Sequence, residues 1–545
     1  MRIILFTFFL LILSFNIFSQ HNLRTSMVDI YMGNYGYWDY QSTGSMQAVE
    51  EDSANISRFS AVYLTADSSL NVPNKRVLYF FSSNTGQTWV SATVATIESV
   101  YPSLALQTDG RAVVCFYDSI NTRIRVYRNQ SAGSLTFDSL PAPPSNSGTN
   151  PKILYYRNYL ILCSVLSGGQ VQKTRFNYTT GTWESWQQIA AGINGAAFQI
   201  AKGYGGKISL SWIGDSPANN VKYSESIDSG NTFGAANTIF SNQIAGSDTL
   251  RAFTHIDMVY YNNQPAITWD ANAGISPLTG QPGIRKQYKN PRIYFWNTQY
   301  GLQLVADSSN YGSFSLPGRN FTISMGYNFS TIGAPSIGVS TSFGLSYIYI
   351  SYSAAKSNIP FGNSWYDSDV YTKFSTSGNF WNTLFNGIPA DNTYDDRFVC
   401  MAKNSYPSFG NSIGLIIQKD NFPGSFRAGD TTSITQSHPE FYYLFITTHI
   451  VEENEEPNEF DLCQNYPNPF NNSTKIDFYL PKRSFVRIDI IDAIGRTVET
   501  IVNDEASAGL SSTVFDGKNY ASGLYFYRMF VDGKVYQTQK MVLLK

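Results

Sequence analysis

The side chains that most often carry catalysis or hold metal ions are few in this sequence. Among 545 residues four are His and four are Cys, and no HExxH, His-x-His or CxxC spacing occurs. Zinc sites need several such ligands at short spacing, so we predict no metal site and no cofactor. His255 and Asp257 alternate along one predicted strand. We expect them to line a central channel as a polar pair rather than to form a catalytic dyad.

Aromatic and charged residues in four long segments between predicted strands are better candidates for ligand binding. The segments are 271–290, 306–334, 354–369 and 421–439. The candidate ligand-binding residues are Arg285, Tyr288, Arg319, Tyr327, Trp365, Tyr366 and Asp367. On loops held by a rigid scaffold, such rings stack on sugars or peptides and the charged groups hydrogen-bond them. Ordinary tolerance of insertions explains the same segments without any ligand.

The composition favours an all-β protein with many short strands. Charged residues make up 14% of the sequence and aromatic residues 15%, and Gly occurs 41 times. Sustained helical periodicity is hard to find. A net charge of −2 gives no electrostatic basis for binding nucleic acid or an anionic membrane. The length is sufficient for two domains.

A turn pattern recurs through residues 20–450 and predicts the architecture of that region. It reads SSNTGQTW (82–89), NQSAGSLTF (129–137), NYTTGTW (177–183) and SIDSGNTF (226–233), with glycines 47 to 49 residues apart. A β-rich repeat of this length predicts one four-stranded propeller blade per repeat. We predict a seven-bladed β-propeller, alternatively six-bladed, with 27–33 as the outer strand of the last blade. Cys115 and Cys163 lie one repeat apart, and we expect buried free thiols there.

Two of these turns carry a more specific set of residues. The first contains Ser82, Asn84, Gly86 and Trp89, and the second contains Ser226, Asp228, Gly230 and Phe233. Both resemble the Asp-box of sialidase-like propellers. The resemblance implies structural turns in which Asp or Asn hydrogen-bonds the backbone and Gly adopts a positive φ. The early Arg-Ile-Pro motif of sialidases is missing, and we find no set of converging arginines.

These observations favour a binding protein over an enzyme. The first hypothesis is a propeller that binds a glycan or protein ligand at the cell surface. One alternative is a sialidase-like exo-glycosidase, which needs a nucleophile and an acid/base carboxyl group at one site. The other alternative is a non-catalytic structural or adhesive surface protein.

The two ends of the chain carry targeting features. Residues 1–19 are typical of a cleaved signal peptide, because Arg2 precedes an apolar run that ends near Ser19. The run is shorter than the roughly 20 residues that span a bilayer, so we predict no transmembrane segment after cleavage. Residues 451–462 form an acidic linker. Residues 463–545 alternate apolar and polar positions between Gly turns, as in a small Ig-like β-sandwich.

The last segment also contains a highly specific motif. Its opening residues are Asn465, Tyr466, Pro467, Asn468, Pro469 and Phe470, and the later ones are Gly495, Arg496, Gly523 and Lys545. The segment 463–545 resembles the type A C-terminal sorting domain of type IX secretion cargo. The resemblance implies that this domain interacts with the type IX secretion machinery and directs export through the periplasm. We therefore expect a protein that is secreted or held at the outer cell surface.

Overall fold

The computed structural model describes a chain built almost entirely of β-strands. The described residues are 18–22, 47–53, 55–66, 75–145, 147–245, 248–274, 288–307, 332–342, 345–361, 365–388, 395–405, 411–420, 438–446, 460–462, 464–465, 468–480, 483–506 and 509–545. They fall into an N-terminal unit, Met1–Ser342 with Ser346–Ile446, and a C-terminal unit, Phe343–Leu345 with Thr447–Lys545. No helix in the described ranges is long and apolar enough to cross a membrane.

The first part of the N-terminal unit contains four sheets. Strand β1 (Phe18–Asn22) precedes sheet 1, which comprises β2 (Val49–Glu51), β3 (Phe59–Ala66), β4 (Lys75–Ser82) and β5 (Val90–Thr93). Sheet 2 comprises β6 (Ser99–Leu106), β7 (Ala112–Asp118), β8 (Arg123–Asn129) and β9 (Phe137–Ser139). Sheet 3 comprises β10 (Thr149–Tyr156), β11 (Tyr159–Leu166), β12 (Gln170–Asn177), β13 (Thr182–Trp183) and β14 (Gln187–Ala190). Sheet 4 comprises β15 (Ile193–Lys202), β16 (Ile208–Gly214), β17 (Asn220–Ser226) and β18 (Asn237–Phe240).

Three further sheets complete the described part of this unit. Sheet 5 comprises β19 (Gln243–Ala245), β20 (Asp248–Tyr261), β21 (Gln264–Gly274), β22 (Tyr288–Asn297) and β23 (Gly301–Asp307). Sheet 6 comprises β24 (Ile332–Ser342), β25 (Leu345–Phe361), β26 (Trp365–Ser375) and β27 (Asn382–Ile388). Sheet 7 contains β28 (Asp395–Met401), β30 (Asn411–Asp420) and β31 (His438–Ile446), while β29 (Asn404–Ser405) pairs with β24 in parallel.

One strand of each sheet contacts the corresponding strand of the next sheet, and we call these the inner strands. These are β2, β6, β10, β15, β20, β24 and β28. Each inner strand contacts the inner strand of the next sheet, and β28 contacts β2 again. The contacts among the described inner strands therefore form a closed cycle.

The free edge of sheet 7 is paired with an N-terminal strand, although with different residues from those predicted. Strand β1 runs antiparallel to β31, with Phe18 opposite Tyr443 and His21 opposite Phe441. The predicted closing strand, 27–33, lies outside the described residues. Ladder pairing uses backbone groups, so the apolar pattern alone did not distinguish between the two N-terminal segments. Of the predicted signal peptide, residues 1–17 lie outside the described residues and 18–19 belong to β1.

The core lies between adjacent sheets, because both faces of most strands are covered. On β20, Ile256 and Met258 pack against sheet 4, whereas Val259 and Tyr261 pack against sheet 6. Strands buried on both faces are apolar almost throughout, and this explains the lack of clean alternation in these segments. Fully burying each such side chain contributes about 1.5–3 kcal/mol. Cys115, Cys163 and Cys400 are buried free thiols in this core, which confirms the prediction for the first two.

The C-terminal unit consists of two antiparallel sheets around one core. The strands are β32 (Asp461–Leu462), β33 (Ser473–Leu480), β34 (Ser484–Asp492), β35 (Thr497–Ala506), β36 (Gly509–Asp516), β37 (Gly523–Val531) and β38 (Lys534–Leu543). One sheet has the order β32-β33-β36 and the other β35-β34-β37-β38. Apolar residues of both sheets, including Ile476, Ile488 and Tyr527, are buried together. Residues 451–459 of the predicted linker lie outside the described residues.

Candidate ligand-binding site

The predicted ligand-binding residues that the structure describes lie on strands, not on loops. Trp365, Tyr366 and Asp367 begin β26, and Trp365 pairs with Phe361 of β25. Tyr288 begins β22 opposite Gly274. The remaining three predicted residues, Arg285, Arg319 and Tyr327, lie outside the described residues.

The segment 354–369, predicted as a loop, is instead a two-stranded arm, which we define as residues 355–361 and 365–369. Strand β25 has 17 residues and pairs with β26 as far as Phe361. Strand β27 pairs with β26 only from Val370 to Phe374, so the arm extends past this neighbour. Once two antiparallel strands are in register, their backbone ladder can continue beyond the sheet, and the residue pattern does not show where it ends.

Strands of sheets 5 and 7 end at the same end of the N-terminal unit as the arm. Chain leaves sheet 5 after Gly274 and returns at Tyr288, and it leaves sheet 7 after Asp420 and returns at His438. Like the arm, both connections join the second and third long strands of a sheet. Sheets with equivalent antiparallel order place equivalent connections at the same end. The arm therefore lies at the same end of the unit as the last residues of β21 and β30, Gly274 and Asp420.

A second feature, which the sequence analysis missed, is a ring of polar residues at equivalent positions on or beside the inner strands. We call it the polar ring. Its members are Gln47, Ser103, Lys152, Gln199, Asp257, Ser336 and Cys400. In the sequence each ring residue is directly followed by an apolar residue. Six of the seven are buried polar residues and Cys400 is fully buried.

Hydrogen bonds connect members of the polar ring to the backbone of the next sheet. The pairs are Ser103 Oγ with the Ile153 N–H (3.2 Å), Asp257 Oδ2 with the Ile337 N–H (2.9 Å), Ser336 Oγ with the Met401 N–H (3.0 Å) and Cys400 Sγ with the Ala48 N–H (3.3 Å). In each pair the donor directly follows a ring member. These bonds satisfy buried backbone groups and fix the inner strands relative to one another.

Asp257 is the most heavily bonded member of the polar ring. Its Oδ1 accepts hydrogen bonds from Gln199 Nε2 at 3.1 Å and from the next backbone N–H at 2.9 Å. Its Oδ2 accepts from Ser336 Oγ at 2.9 Å, from the backbone of sheet 6 and from the Lys403 ammonium group. Lys403 also donates to the Ile337 carbonyl oxygen at 3.3 Å. The buried carboxylate is thus fully paired within the protein.

Other charged side chains surround this pair and titrate abnormally. Burial raises the pKa of Glu50 to about 7, although the charges of Lys202 and Lys403 oppose the shift. Burial lowers the pKa of Lys152 to about 8, against the attraction of Asp257. Burial also lowers the pKa of Lys202, whose Nζ donates to a backbone carbonyl of sheet 3. Glu50 and Lys202 remain partly accessible.

His255 does not act with Asp257 as the sequence suggested. A register shift between Ala252 and Ile256 interrupts the pairing of β20 with β21. His255 Nδ1 lies 3.1 Å from Oδ2 of Asp270 on β21. The Asp270 carboxylate also accepts the backbone N–H groups of Thr254, His255 and Ala334, at 3.1, 2.9 and 3.3 Å. The bulge therefore turns His255 towards the neighbouring strand, and only Asp257 belongs to the polar ring.

The two turns singled out in the sequence have matching internal hydrogen bonds. In the second, Asp228 Oδ1 accepts the Thr232 N–H at 2.9 Å, and Ser226 Oγ accepts the Gly230 N–H at 2.9 Å. In the first, Asn84 Oδ1 accepts the Thr88 N–H at 2.9 Å, and Ser82 Oγ accepts the N–H of Gly86 at 2.9 Å. The two glycines have φ of +75° and +77°.

Packing around these turns differs. Trp89 donates from Nε1 to the carbonyl of Gly86 at 3.0 Å and packs against Phe441 with ring centroids 5.0 Å apart. Phe233 is half-buried beside the core between sheets 3 and 4. Both turns join the third and fourth strands of their sheets, at the opposite end from the arm. Their polar groups bond within the turn.

The motif residues of the C-terminal unit tie its first segment to the last two strands. Asn465 is buried and donates from its backbone to Tyr527 Oη at 2.7 Å and from Nδ2 to Thr474 Oγ1 at 2.9 Å. Asn468 Oδ1 accepts the Val542 N–H at 2.9 Å, and buried Phe470 donates its N–H to the Val542 carbonyl at 2.9 Å.

Later motif residues form turns and the chain end. Gly495 lies in the turn after β34, where Arg496 Nε contacts Asp492 Oδ2 at 2.8 Å. Gly523 begins β37, and the backbone N–H of Lys545 donates to Ser522 Oγ at 3.0 Å. Tyr466 and Pro467 lie outside the described residues, while Pro469 is described.

Comparison with solved structures finds proteins of low similarity. A fungal alcohol oxidase of the AA5 family, in complex with copper, aligns over 94% of this chain and 100% of its own, with 11% identity and a TM-score of 0.45. A PL25 ulvan lyase aligns over 76% and 96%, with 10% identity and a TM-score of 0.43. The α-L-arabinofuranosidase Arb93A from Fusarium graminearum aligns over 64% and 93%, with 9% identity and a TM-score of 0.35. At these values we transfer no activity from them.

Sequence comparison assigns only the C-terminal unit. No curated protein matches the chain. Residues 464–544 match the family model of the secretion system C-terminal sorting domain. The match covers the motif residues described above except Lys545 and confirms the resemblance noted in the sequence. The C-terminal residues are thus a type IX secretion sorting domain, which implies interaction with the type IX machinery and a secreted or outer cell-surface location.

Proposed function

We propose that the exported protein binds a glycan at the end of its N-terminal unit from which the arm emerges. The single observation that carries this proposal is the arm itself. It extends past β27 and holds Trp365, Tyr366 and Asp367 in consecutive positions. Indole and phenol rings stack on sugar faces, and carboxylates accept hydrogen bonds from sugar hydroxyls.

In the same proposal the seven sheets are seven blades of a β-propeller. The cycle of contacts among the inner strands supports this interpretation. So does the polar ring, in which hydrogen bonds lead from sheet 5 to 6, from 6 to 7 and from 7 to 1. A propeller is a rigid scaffold whose connections at one end are free to form a binding surface.

The described residues provide no support for the sialidase-like alternative. A sialidase nucleophile is a Tyr activated by a Glu. Here Tyr260 donates to Glu225 Oε1 at 2.7 Å, but burial and that hydrogen bond raise the pKa of Tyr260 instead of lowering it. A raised pKa makes a phenol a poorer nucleophile. Arg58 and Arg111 pair with Asp52 and Asp109 near their own turns, so they do not converge.

A glycan array followed by isotherms on the purified protein tests the proposed function. Trp365→Ala should weaken binding of a retained glycan by about tenfold, since an aromatic platform worth about 1.4 kcal/mol is removed. The matched control is Phe380→Ala, because Phe380 is an exposed aromatic residue (77%) in the turn at the other end of sheet 6. Unchanged melting temperatures would show that both variants fold.

Two results would contradict the proposal. If wild-type protein retained no glycan from the array, the non-catalytic structural alternative would replace it. If Phe380→Ala weakened binding as strongly as Trp365→Ala, the ligand would not be located at the arm.

A further inference from the structure

Two polar side chains lie opposite each other near the end of sheet 5. Arg251 on β20 pairs with Asn272 on β21, so both side chains project from the same face of the sheet. Asp270 shares that face with Asn272, because residues two apart on a strand point the same way. Asp270 Oδ2 accepts the Ala334 N–H of β24. The face that carries Arg251 and Asn272 is therefore the one turned towards the inner strand of sheet 6.

Both side chains have donor groups without an acceptor in the described part of the chain. Arg251 Nε and Asn272 Nδ2 are inaccessible to solvent and make no hydrogen bond there. The Asn272 side chain is almost fully buried, with 3% of its surface exposed. Buried donors are nearly always paired, because leaving them unpaired costs free energy. Two unpaired donors side by side are a candidate site for an acceptor that a ligand supplies.

The Asp270 carboxylate, on the same face of β21 as Asn272, cannot supply that acceptor. Both oxygens of Asp270 are occupied by three backbone N–H groups and by His255. Asp257, further along β20, is fully engaged by the polar ring and Lys403. The positive charge of Arg251 therefore favours an anionic acceptor, and a guanidinium group beside an amide fits the two oxygens of an oxyanion.

We propose that Arg251 and Asn272 form a subsite for an oxyanion group of the glycan, a carboxylate or a sulfate ester. The subsite rests on the proposed glycan binding and assigns its substrate class as acidic glycans. Asn272 is two residues from Gly274, the last residue of β21, and this end of β21 lies at the same end of the unit as the arm. A glycan seated on the arm end can thus present its charged group to sheet 5.

Isothermal titration of the full-length protein tests the subsite with three probes that share one sugar backbone. These are a uronate-containing oligosaccharide, a sulfated neutral oligosaccharide and the neutral parent. We expect binding of at least one acidic probe and at least tenfold weaker binding of it by Arg251→Met. Arg251→Lys should weaken binding less, since it keeps the positive charge but loses the paired N–H donors of the guanidinium group. The matched control is Arg123→Met, which removes an exposed strand arginine of sheet 2 and should bind like wild type.

The outcomes separate this inference from the proposed function. Equal affinity for the neutral parent and the acidic probes would overturn the oxyanion subsite but leave glycan binding intact. Unchanged affinity of a folded Arg251→Met variant for the acidic probe would also overturn the subsite. No binding of any probe, combined with no retained glycan on the array, would overturn both. Preference for the uronate or the sulfated probe would support the subsite and identify the oxyanion.

Discussion

Asp257 and Arg251 lie on the same strand, β20, yet their surroundings differ completely. Asp257 is fully buried and accepts hydrogen bonds from two side-chain donors, two backbone groups and an ammonium group. Arg251, near the arm end, has a buried Nε that makes no hydrogen bond in the described part of the chain. A polar group that is satisfied inside the protein contributes to folding, whereas one that lacks an internal partner is available to a ligand.

The largest effect should follow from breaking the pairing of Asp257. Asp257→Asn leaves the Lys403 ammonium group buried without its carboxylate, and removal of one partner of a buried ion pair costs about 3–5 kcal/mol. Urea denaturation should show this loss. The control is Asp109→Asn, because that carboxylate is half exposed in its pair with Arg111 and its loss should cost less than about 1 kcal/mol. A loss below about 1 kcal/mol for Asp257→Asn would contradict the comparison.

Glu50 tests the charge balance beside the polar ring. Its pKa is raised to about 7 in the folded protein, so the folded state holds a proton that the unfolded state releases above about pH 4.5. Stability should therefore fall as pH rises from about 4.5 to 7, because the folded state binds more protons there. Glu50→Gln should remove this dependence and raise stability by about 1–3 kcal/mol at about pH 8, with little change near pH 4. If the melting temperatures of both proteins changed with pH in the same way across this range, this prediction would be wrong.

The turn at Asp228 should show a smaller effect with the opposite pH dependence. Burial acts to raise the pKa of Asp228, but hydrogen bonds from Thr232 and Ser226 outweigh it and hold the pKa well below its usual range. The stabilisation is present above the unfolded pKa of about 4 and is lost as pH falls below it. Asp228→Ala should cost about 0.5–2 kcal/mol at neutral pH and less at about pH 3.

Asn84 is the matched control for this turn, because its Oδ1 accepts the equivalent backbone N–H and its Nδ2 donates to Thr88 Oγ1, all without a charge. Asn84→Ala should cost a similar amount at both pH values. If Asp228→Ala lost glycan binding without a change in melting temperature, the ligand would bind at the end opposite the arm, and the proposed location would be wrong.

These regions also differ in how readily the sequence predicts them. The turns at Ser82 and Ser226 were predictable because each needs particular residue types at fixed spacing. The polar ring was missed because its members share a strand position and a hydrogen-bonding role but not a residue type. The sequence does contain one indication of the ring. In each repeat a polar residue or Cys on or beside the inner strand, such as Ser103, Lys152 or Gln199, directly precedes an apolar residue.

Strand ends and pairing partners were the least predictable features. The sequence predicts a loop at 354–369, where the structure has the arm, because nothing in these residues marks where a ladder stops. The sequence does not identify β1 as the partner of β31, because backbone pairing imposes little demand on side chains. The bulge before Ile256 determines the surroundings of His255. No Gly marks this bulge in the sequence, so it could not be predicted.

The smallest effect on stability should come from Arg251, and it completes the comparison along β20. Arg251→Met keeps the length of the apolar stem and removes a buried donor that has no acceptor, so the free energy of unfolding should stay within about 0.5 kcal/mol of wild type or rise. Arg125→Met is the paired control, since Arg125 Nε contacts the fully buried Asp118 carboxylate at 3.1 Å. Its loss leaves that carboxylate with only Asn121 and should cost about 1–3 kcal/mol. Equal losses in the two variants, measured by urea denaturation, would mean that Arg251 is held by the fold like Arg125 and is not reserved for a ligand.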